Sequence, residues 1–372
     1  MSEFLLSCPC HFGLESVLAY EIKKIGADDV RATDGRLYFK GSEEIVAKAN
    51  IWLRTAERVQ IVLAAFKATT FAELFDNVAE INFEDYIGKN DAFPVKGWSL
   101  NSKLHSIPDC QSIIKKAVVR RFEKVYKQSW FEETGPVHQI QFSIHKDEVT
   151  IMLDTSGSGL HKRGYRQNSN LAPIKETLAA GIVDLARIRP DSIVCDPMCG
   201  SGTILIESAL KALNIAPGLR RKFSCEEWSI FDKSLFKKQR EEALTQINRQ
   251  ADFKAIGYDI DSEAVLLTID NAKKAGVISK VLAQKQDISA LNISTQKPII
   301  ICNPPYGERM LEIKQAEVLY SKMGRVFNNI KDASIYVISP NEDFEIHYGK
   351  KADKKRKLYN GMLKCNLYMY FK

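Results

Sequence analysis

From residue 173 to its end the chain alternates strand-like and helix-like patterns, and no other feature restricts the possible folds as much. A helix pattern over 173–187 leads to the strand IVCDP (193–197) and a helix over 201–213. The strand AIGYD (255–259) precedes a helix over 262–275, and a third strand lies in VLAQKQD (281–287). The fourth, PIIICN (298–303), is nearly all apolar, as suits a strand covered on both faces. A helix over 314–330, the strand SIYVIS (334–339) and closing strands near 343–348 and 362–371 complete the series. This order predicts an α/β doubly wound sheet with a terminal hairpin. Ligands in such sheets sit beyond the carboxyl ends of the strands, so the residues after each strand are where chemistry belongs.

The first half reads differently. Leu14, Val17, Leu18 and Ile22 share one helical face within 12–25, and Gly26 follows as a stop signal. RLYFKG (36–41) alternates like a strand, Ser42 reads as the N-cap of a helix over 43–50, and 57–66 reads as a buried strand. A helix at 71–79, a strand near 96–101, a long helix at 109–127 and strands at 138–145 and 148–154 follow. The mixture predicts an α+β region. A polar, Gly-rich stretch, DTSGSGLHKRGYRQNSN (154–170), marks the boundary between the halves.

With 45% hydrophobic and 27% charged residues in 372, the chain is neither disordered nor of low complexity. No apolar run approaches the roughly 18 residues that span a bilayer, and MSEFLLSCPCHFGLES lacks the layout of a secretory signal. The eight cysteines are scattered and read as reduced thiols, so a cytoplasmic protein is expected. Residues 1–160 carry 19 Lys+Arg against 22 Asp+Glu, leaving 34 against 24 for 161–372. The net +7 therefore divides into −3 and +10. In the 109–127 helix Lys115, Lys116, Arg120, Arg121, Lys124 and Lys127 fall outside the apolar stripe of Ile114, Val118, Phe122 and Val125. Such a face is either merely solvated or a surface for phosphates.

Four strand ends carry chemical signals. Asp196-Pro197-Met198-Cys199-Gly200-Ser201-Gly202 turns directly into a helix, where glycines permit close approach of a ligand and free N–H groups face it. The spacing matches neither a dinucleotide fingerprint nor a phosphate loop. Asp259 is placed to take two hydrogen bonds from a ribose diol, while Asp261 reads as a helix N-cap. Asp287 is either a ligand group or a turn aspartate. Asn303-Pro304-Pro305-Tyr306 ends the apolar strand. Its prolines stiffen the turn, leaving the Asn303 amide oxygen and the Pro304 carbonyl as acceptors for an amino group, and Tyr306 offers a ring face.

DPMCGSGT, GYDID and NPPY together resemble the class I S-adenosylmethionine-dependent amino methyltransferases, with a Rossmann-like sheet, over 171–372. LHKRGYR (160–166), LAPIKETLAA (171–180) and NIAPGLRRKF (214–223) are similar to bacterial THUMP-domain RNA methyltransferases that make N2-methylguanosine. The resemblance implies a ferredoxin-like part at 1–50, a THUMP RNA-binding domain at 51–158 and the methyltransferase domain at 159–372. In that family the large-subunit rRNA enzyme of many bacteria carries a second methyltransferase domain, and this chain stops after one.

By the same resemblance, Asp196, Gly200, Ser201 and Gly202 hold the methionine end of the cofactor, Asp259 the ribose and Asp287 the adenine. Asn303, which also borders the cofactor, and Pro304 accept hydrogen bonds from guanine N2, and Tyr306 stacks on the flipped base. RNA phosphates fall to Lys115, Lys116, Arg120, Arg121 and Lys124, and to Lys162, Arg163 and Arg166. The basic run KKADKKRK (350–357) is read as a solvated loop or as part of the entrance rim. Cys302 is rejected as a nucleophile, because amino methylation is direct displacement. No metal is expected. The expected substrate is 23S rRNA, with tRNA as the alternative. A DNA adenine or protein glutamine methyltransferase, and a non-catalytic RNA-binding assembly protein, are the rival readings. Nothing in the sequence bears on oligomeric state.

Overall fold

The computed structural model describes residues 3–166, 174–293, 295–307 and 310–371. Gln167–Asn170 of the boundary stretch and the first three residues of LAPIKETLAA lie outside them. The first half contains β1 (Phe4–Pro9), α1 (Glu15–Lys24), β2 (Asp28–Thr33), β3 (Arg36–Gly41) and α2 (Glu43–Trp52). It continues with β4 (Gln60–Lys67), α3 (Phe71–Ala79), β5 (Val95–Leu100), α4 (Ile107–Tyr126), β6 (Ile140–His145) and β7 (Glu148–Asp154). Its strands form one seven-stranded sheet in the order β2-β3-β1-β4-β7-β6-β5, antiparallel except for the β5–β6 pair. The seam between β1 and β4 is narrow, pairing only Leu6 with Ile61 and Ser7 with Gln60. The predicted α1 stripe is buried as expected. Two strands escaped the sequence reading: β1 is too continuously apolar to show alternation, and β2 is almost wholly exposed.

The second half contains α5 (Glu176–Leu185), β8 (Ile193–Asp196), α6 (Thr203–Ala212), α7 (Leu235–Thr245), β9 (Lys254–Asp259) and α8 (Ser262–Ala275). Then come β10 (Val281–Lys285), β11 (Ile299–Cys302), α9 (Met310–Phe327), β12 (Ser334–Ser339), α10 (Phe344–Tyr348), β13 (Lys354–Asn360) and β14 (Leu363–Tyr370). The sheet order is β10-β9-β8-β11-β12-β14-β13, parallel from β10 to β12 and closed by the antiparallel hairpin. The chain leaves β8 in one direction through β9 and β10 and returns on the other side at β11. That reversal between β8 and β11 is the switch point at which doubly wound sheets open a crevice.

Two expectations need correction here. The strand expected near 343–348 is the helix α10. Phe344 and Tyr348, four apart, share one helical face and are buried among Tyr320, Phe327, Tyr368 and Tyr370. Over five residues an alternating pattern and a helical one coincide, and packing decides. The run 350–357 is not a loop, because its second half begins β13, an edge strand with little apolar content to announce it. The boundary stretch is packed over 154–166. Thr155, Ser156, Leu160, Arg163 and Tyr165 are buried, and Asn50 donates to Thr155 Oγ1 at 2.9 Å and accepts from Ser156 Oγ at 2.7 Å.

The halves interlock. Ala216, Phe223, Cys225, Trp228, Phe231, Phe236 and Ala243, which follow α6 in sequence, pack into the core of the first half. Trp228 stacks on His138 with ring centroids 4.3 Å apart and donates Nε1–H to the Val137 carbonyl at 3.0 Å. In return Leu14 and Val17 of the first half join the core of the second. Between them Glu57 gathers His11 (3.2 Å), His161 (3.4 Å), Lys175 (3.4 Å) and the Thr177 hydroxyl. Despite its burial, the imidazoles and the hydroxyl hold its carboxyl well below the usual carboxylate range.

Candidate active site at the carboxyl ends of the second sheet

A cavity of about 940 Å³ opens at the switch point. Its wall contains Asp196, Gly200, Ser201, Asp259, Asp287, Asn303, Pro304 and Tyr306, side chains and turns delivered by four different strands. A parallel sheet brings them together because every strand ends on the same side.

The turn after β8 is built around two left-handed glycines. Gly200 lies at φ +53° with nothing within 4 Å of where a Cβ would stand, so the space beside it belongs to the cavity. Gly202, at φ +78°, is the residue that caps α6; a Cβ there would come within 2.7 Å of Thr268. It is absent from the cavity wall, so its requirement is close packing against α8 and not the ligand contact expected of it. The loop is held from behind. Thr268 Oγ1 donates to the Gly200 carbonyl at 2.9 Å, and Asn271 Nδ2 to the Ser201 carbonyl at 2.9 Å. Sequence reading missed both, since they look like ordinary polar residues of a helix.

The three acids are unlike one another. Asp196 is 1% exposed, and burial together with the neighbouring charge of Asp259 pushes its carboxyl up to about 8. It accepts a hydrogen bond from Met198 N–H at 3.2 Å. Asp259 accepts from Gly200 N–H at 2.9 Å and from Asp261 N–H at 3.0 Å, which orient the carboxylate and leave further lone pairs. Asp287 is exposed, and its carboxylate caps a short turn by accepting from Ser289 N–H at 2.7 Å; the Ser289 hydroxyl and N–H together hold it below its ordinary value. Asp261 is the N-cap of α8, accepting from Glu263 N–H at 2.9 Å.

At the end of β11 the acceptor of Asn303 is in use. The Tyr306 hydroxyl donates to Asn303 Oδ1, and the ring is half-buried, so Tyr306 does not stand free as a stacking face. Burial pushes its phenol far above the ordinary value. Cys302 is fully buried with its thiol pushed well up by desolvation, which leaves no thiolate for a nucleophile. All eight cysteines are free and buried. Among the described residues there is no His/Cys/Asp/Glu group that could hold a metal, and no helix long and apolar enough to cross a membrane.

The basic residues divide sharply. On α4, Lys116, Arg120 and Lys124 are exposed at successive four-residue steps and form one stripe. Lys115 and Arg121, expected on the same face, are spent internally. Lys115 binds Glu133 at 2.5 Å and lies 3.4 Å over the Phe93 ring, and Arg121 makes a forked pair with Glu84 at 3.0 and 3.1 Å. Lys162 is exposed, but Arg163 is buried, giving its guanidinium to the carbonyls of Leu160 (2.7 Å) and Arg54 and standing 3.5 Å from Glu207. Arg166 bonds Glu176 (3.0 Å), the Ile174 carbonyl (2.9 Å) and Thr203 Oγ1 (3.2 Å). It therefore braces the start of α6. The run 350–357 does not rim the cavity: Lys354 pairs with Met369 near the amino ends of the parallel strands, and Arg356 is tied to Gly13 O at 2.6 Å and Ser16.

This strand order, with a glycine turn after the central strand and Asn-Pro-Pro-Tyr after its neighbour, defines a methyltransferase of the class that uses S-adenosylmethionine. The chain belongs to the RMKL-like methyltransferase family, whose domain matches residues 163–369. An RlmL ferredoxin-like domain matches 6–60 and a THUMP domain 68–154. The chain is 42% identical, over all of its length and 97% of the relative's, to a Bacillus subtilis protein called "Putative RNA methyltransferase YpsC". It is 33% identical to the ribosomal RNA large subunit methyltransferase K/L of Aeromonas hydrophila, covering 54% of that longer protein. The crystal structure of SMU.472, "a putative methyltransferase complexed with SAH", superposes with a TM-score of 0.94 at 40% identity, over 100% of this chain and 98% of that one.

Proposed function

We propose that this methyltransferase modifies the exocyclic N2 of a guanine in RNA, with 23S rRNA as the substrate. The observation that carries the proposal is one cavity shared by the glycine turn of β8 and the Asn-Pro-Pro-Tyr of β11, in a chain that also holds a THUMP domain.

The residues suit S-adenosylmethionine on two counts. The open space at Gly200 leaves room for a ligand against the backbone. Asp196, Asp259 and Asp287 surround the cavity with carboxylates, complementary to a ligand bearing an ammonium and a sulfonium. When bound, the cofactor supplies a methyl group on positively charged sulfur. Asp196 and the Gly200–Ser201 turn would hold its amino-acid end, Asp259 its ribose hydroxyls, and the segment around Asp287 its adenine. A cationic group beside Asp196 favours the ionised carboxylate, so binding releases the proton that burial keeps there.

Asn303 and Pro304 would orient the acceptor. An amino group entering the site replaces the Tyr306 hydroxyl as donor to Asn303 Oδ1, an exchange of one hydrogen bond for another. Tyr306 is then released to stack on the base. The lone pair of guanine N2 is delocalised into its ring; two fixed acceptors favour a pyramidal nitrogen whose lone pair faces the methyl group. With the cofactor bound, Asn303 and Pro304 would hold that nitrogen in line with the methyl group it is to accept. The methylated nitrogen then loses its proton to water.

The test is transfer of labelled methyl to separate pools of rRNA, tRNA, DNA and protein, followed by mass spectrometry of the nucleosides. N2-methylguanosine in rRNA is the expected product. Label in tRNA would move the substrate, and label only in DNA or protein would overturn the RNA reading. Cofactor binding without transfer to any pool would favour a non-catalytic assembly protein.

A further inference from the structure

The hairpin of β13 and β14 reaches past the carboxyl end of the sheet. β12 ends at Ser339, opposite Asn366, whereas β14 begins three residues earlier at Leu363, opposite Asn360. At about 3.3 Å per residue the turn Gly361–Met362 extends roughly 10 Å further, on the side where the cavity opens. Leu363 and Pro340 line that cavity with Asn303, and Asn360 and Cys365 both act on the Tyr306 phenol. The arm is stiff. Gly361 has φ +64°, the place that a two-residue turn of type II′ reserves for glycine.

At its tip this arm carries an apolar side chain in open water. Met362 is 99% exposed, more than any other large hydrophobic residue described, while Met152, Met323 and Met369 are buried. Leu363 beside it is 45% exposed. A base that leaves its stack to enter a pocket leaves a gap of apolar faces behind, and proteins that open stacks fill such gaps with apolar side chains. An unbranched thioether is slender, polarisable and favourable against aromatic rings.

We propose that Met362 is a wedge that enters the RNA stack where the target guanine has left it. The inference rests on the RNA-base reading above and adds a positioning residue to it; Met362 touches neither the cofactor nor the reacting atoms. Because methionine reads no base edge, the wedge assists any stacked guanine and leaves the choice of sequence to other contacts.

The experiment compares two RNAs: folded rRNA from a strain lacking the enzyme, whose guanines are largely held in stacks, and the nonamer UUUUGUUUU, whose guanine has almost no stack to leave. With Met362→Ala, kcat/KM on rRNA should fall roughly 10- to 100-fold, since the gap then stays open. The fall on the nonamer should be far smaller, Met362→Leu should restore most of the rRNA activity, and cofactor Kd should not move. An equal fall on both RNAs, or none on rRNA, overturns the wedge. Met362→Trp reads insertion independently of turnover: the added tryptophan emission should be quenched by rRNA, and an unquenched signal also overturns it. Wild-type protein that methylates neither RNA refutes the proposed function itself, a different result from active wild-type protein with an indifferent Met362→Ala.

Discussion

The two seven-stranded sheets of this molecule are equal in strand number and opposite in what they can build. In the second, β10, β9, β8, β11 and β12 run the same way, so their carboxyl ends converge and all five contribute to one cavity. In the first, neighbouring strands mostly run in opposite directions, and their loops are shared between two ends. A mostly antiparallel sheet therefore offers faces and edges, and a parallel one offers a pocket. A cavity in the second half and broad faces in the first follow from that difference before any side chain is considered.

Asn303→Ala breaks the comparison where it is strongest. Transfer should drop by about 10²- to 10⁴-fold, in the range lost when one oriented polar group is removed from a reacting centre. Calorimetric affinity for the cofactor should stay within a fewfold, and unchanged turnover would refute the role given to Asn303. Next in size is Trp228→Ala, which attacks the interlock. Removing a buried indole costs about 3–5 kcal/mol. Because Trp228 belongs in sequence to one half and in packing to the other, wild type should unfold in one denaturant transition and the variant in two.

Asp196→Asn sharpens the comparison through pH. The folded protein keeps a proton on Asp196 up to about pH 8, whereas the ordinary value is 3.8. Folding therefore takes up a proton between those limits, and the stability linked to this group falls as pH rises through the window. The amide has no such dependence. The variant should melt on the order of 5 °C higher than wild type at pH 8 and gain little at pH 4, while binding the cofactor at least roughly tenfold more weakly. A melting curve with the same pH slope as wild type would show that Asp196 is not held protonated.

The smallest effects are expected in the first half. Replacing Lys116, Arg120 and Lys124 by Ala should weaken RNA binding and lower the salt dependence of log K by about 2, at roughly 0.7 for each contact to a single strand. Cofactor affinity should be unaffected. Arg121→Ala, one helical position away, should lower stability by loss of its forked pair with Glu84 and leave the salt slope alone. A matching fall in slope would return Arg121 to the RNA-binding face.

Much of this was legible in the sequence. The helices at 71–79 and 262–275 and the strand at 334–339 match the predicted spans residue for residue, because their apolar periodicity is strong and their ends are well marked. The residues after the strands gather round one cavity as the rule for doubly wound sheets demands. Illegible were elements whose signal lies elsewhere in the chain: β2 exists by pairing with β3, β13 by pairing with β14, and the polar Thr268 and Asn271 brace a loop some 70 residues away. The basic residues were half legible. Sequence places a Lys or Arg on a face, but a charge held against a carboxylate in a partly buried pair is spent on it, and only the fold shows which pairs are buried.

Local chemistry settled the architecture of the second half and the placing of the motifs at its strand ends, since periodicity and backbone stereochemistry act over a few residues. Long-range packing settled the rest. It drew 216–243 into the core of the other half, turned Arg163 and Arg166 from RNA contacts into internal braces, and set Tyr306 against Asn303. These outcomes depend on burial and on partners distant in the chain, and neither is a property of any residue's immediate neighbours.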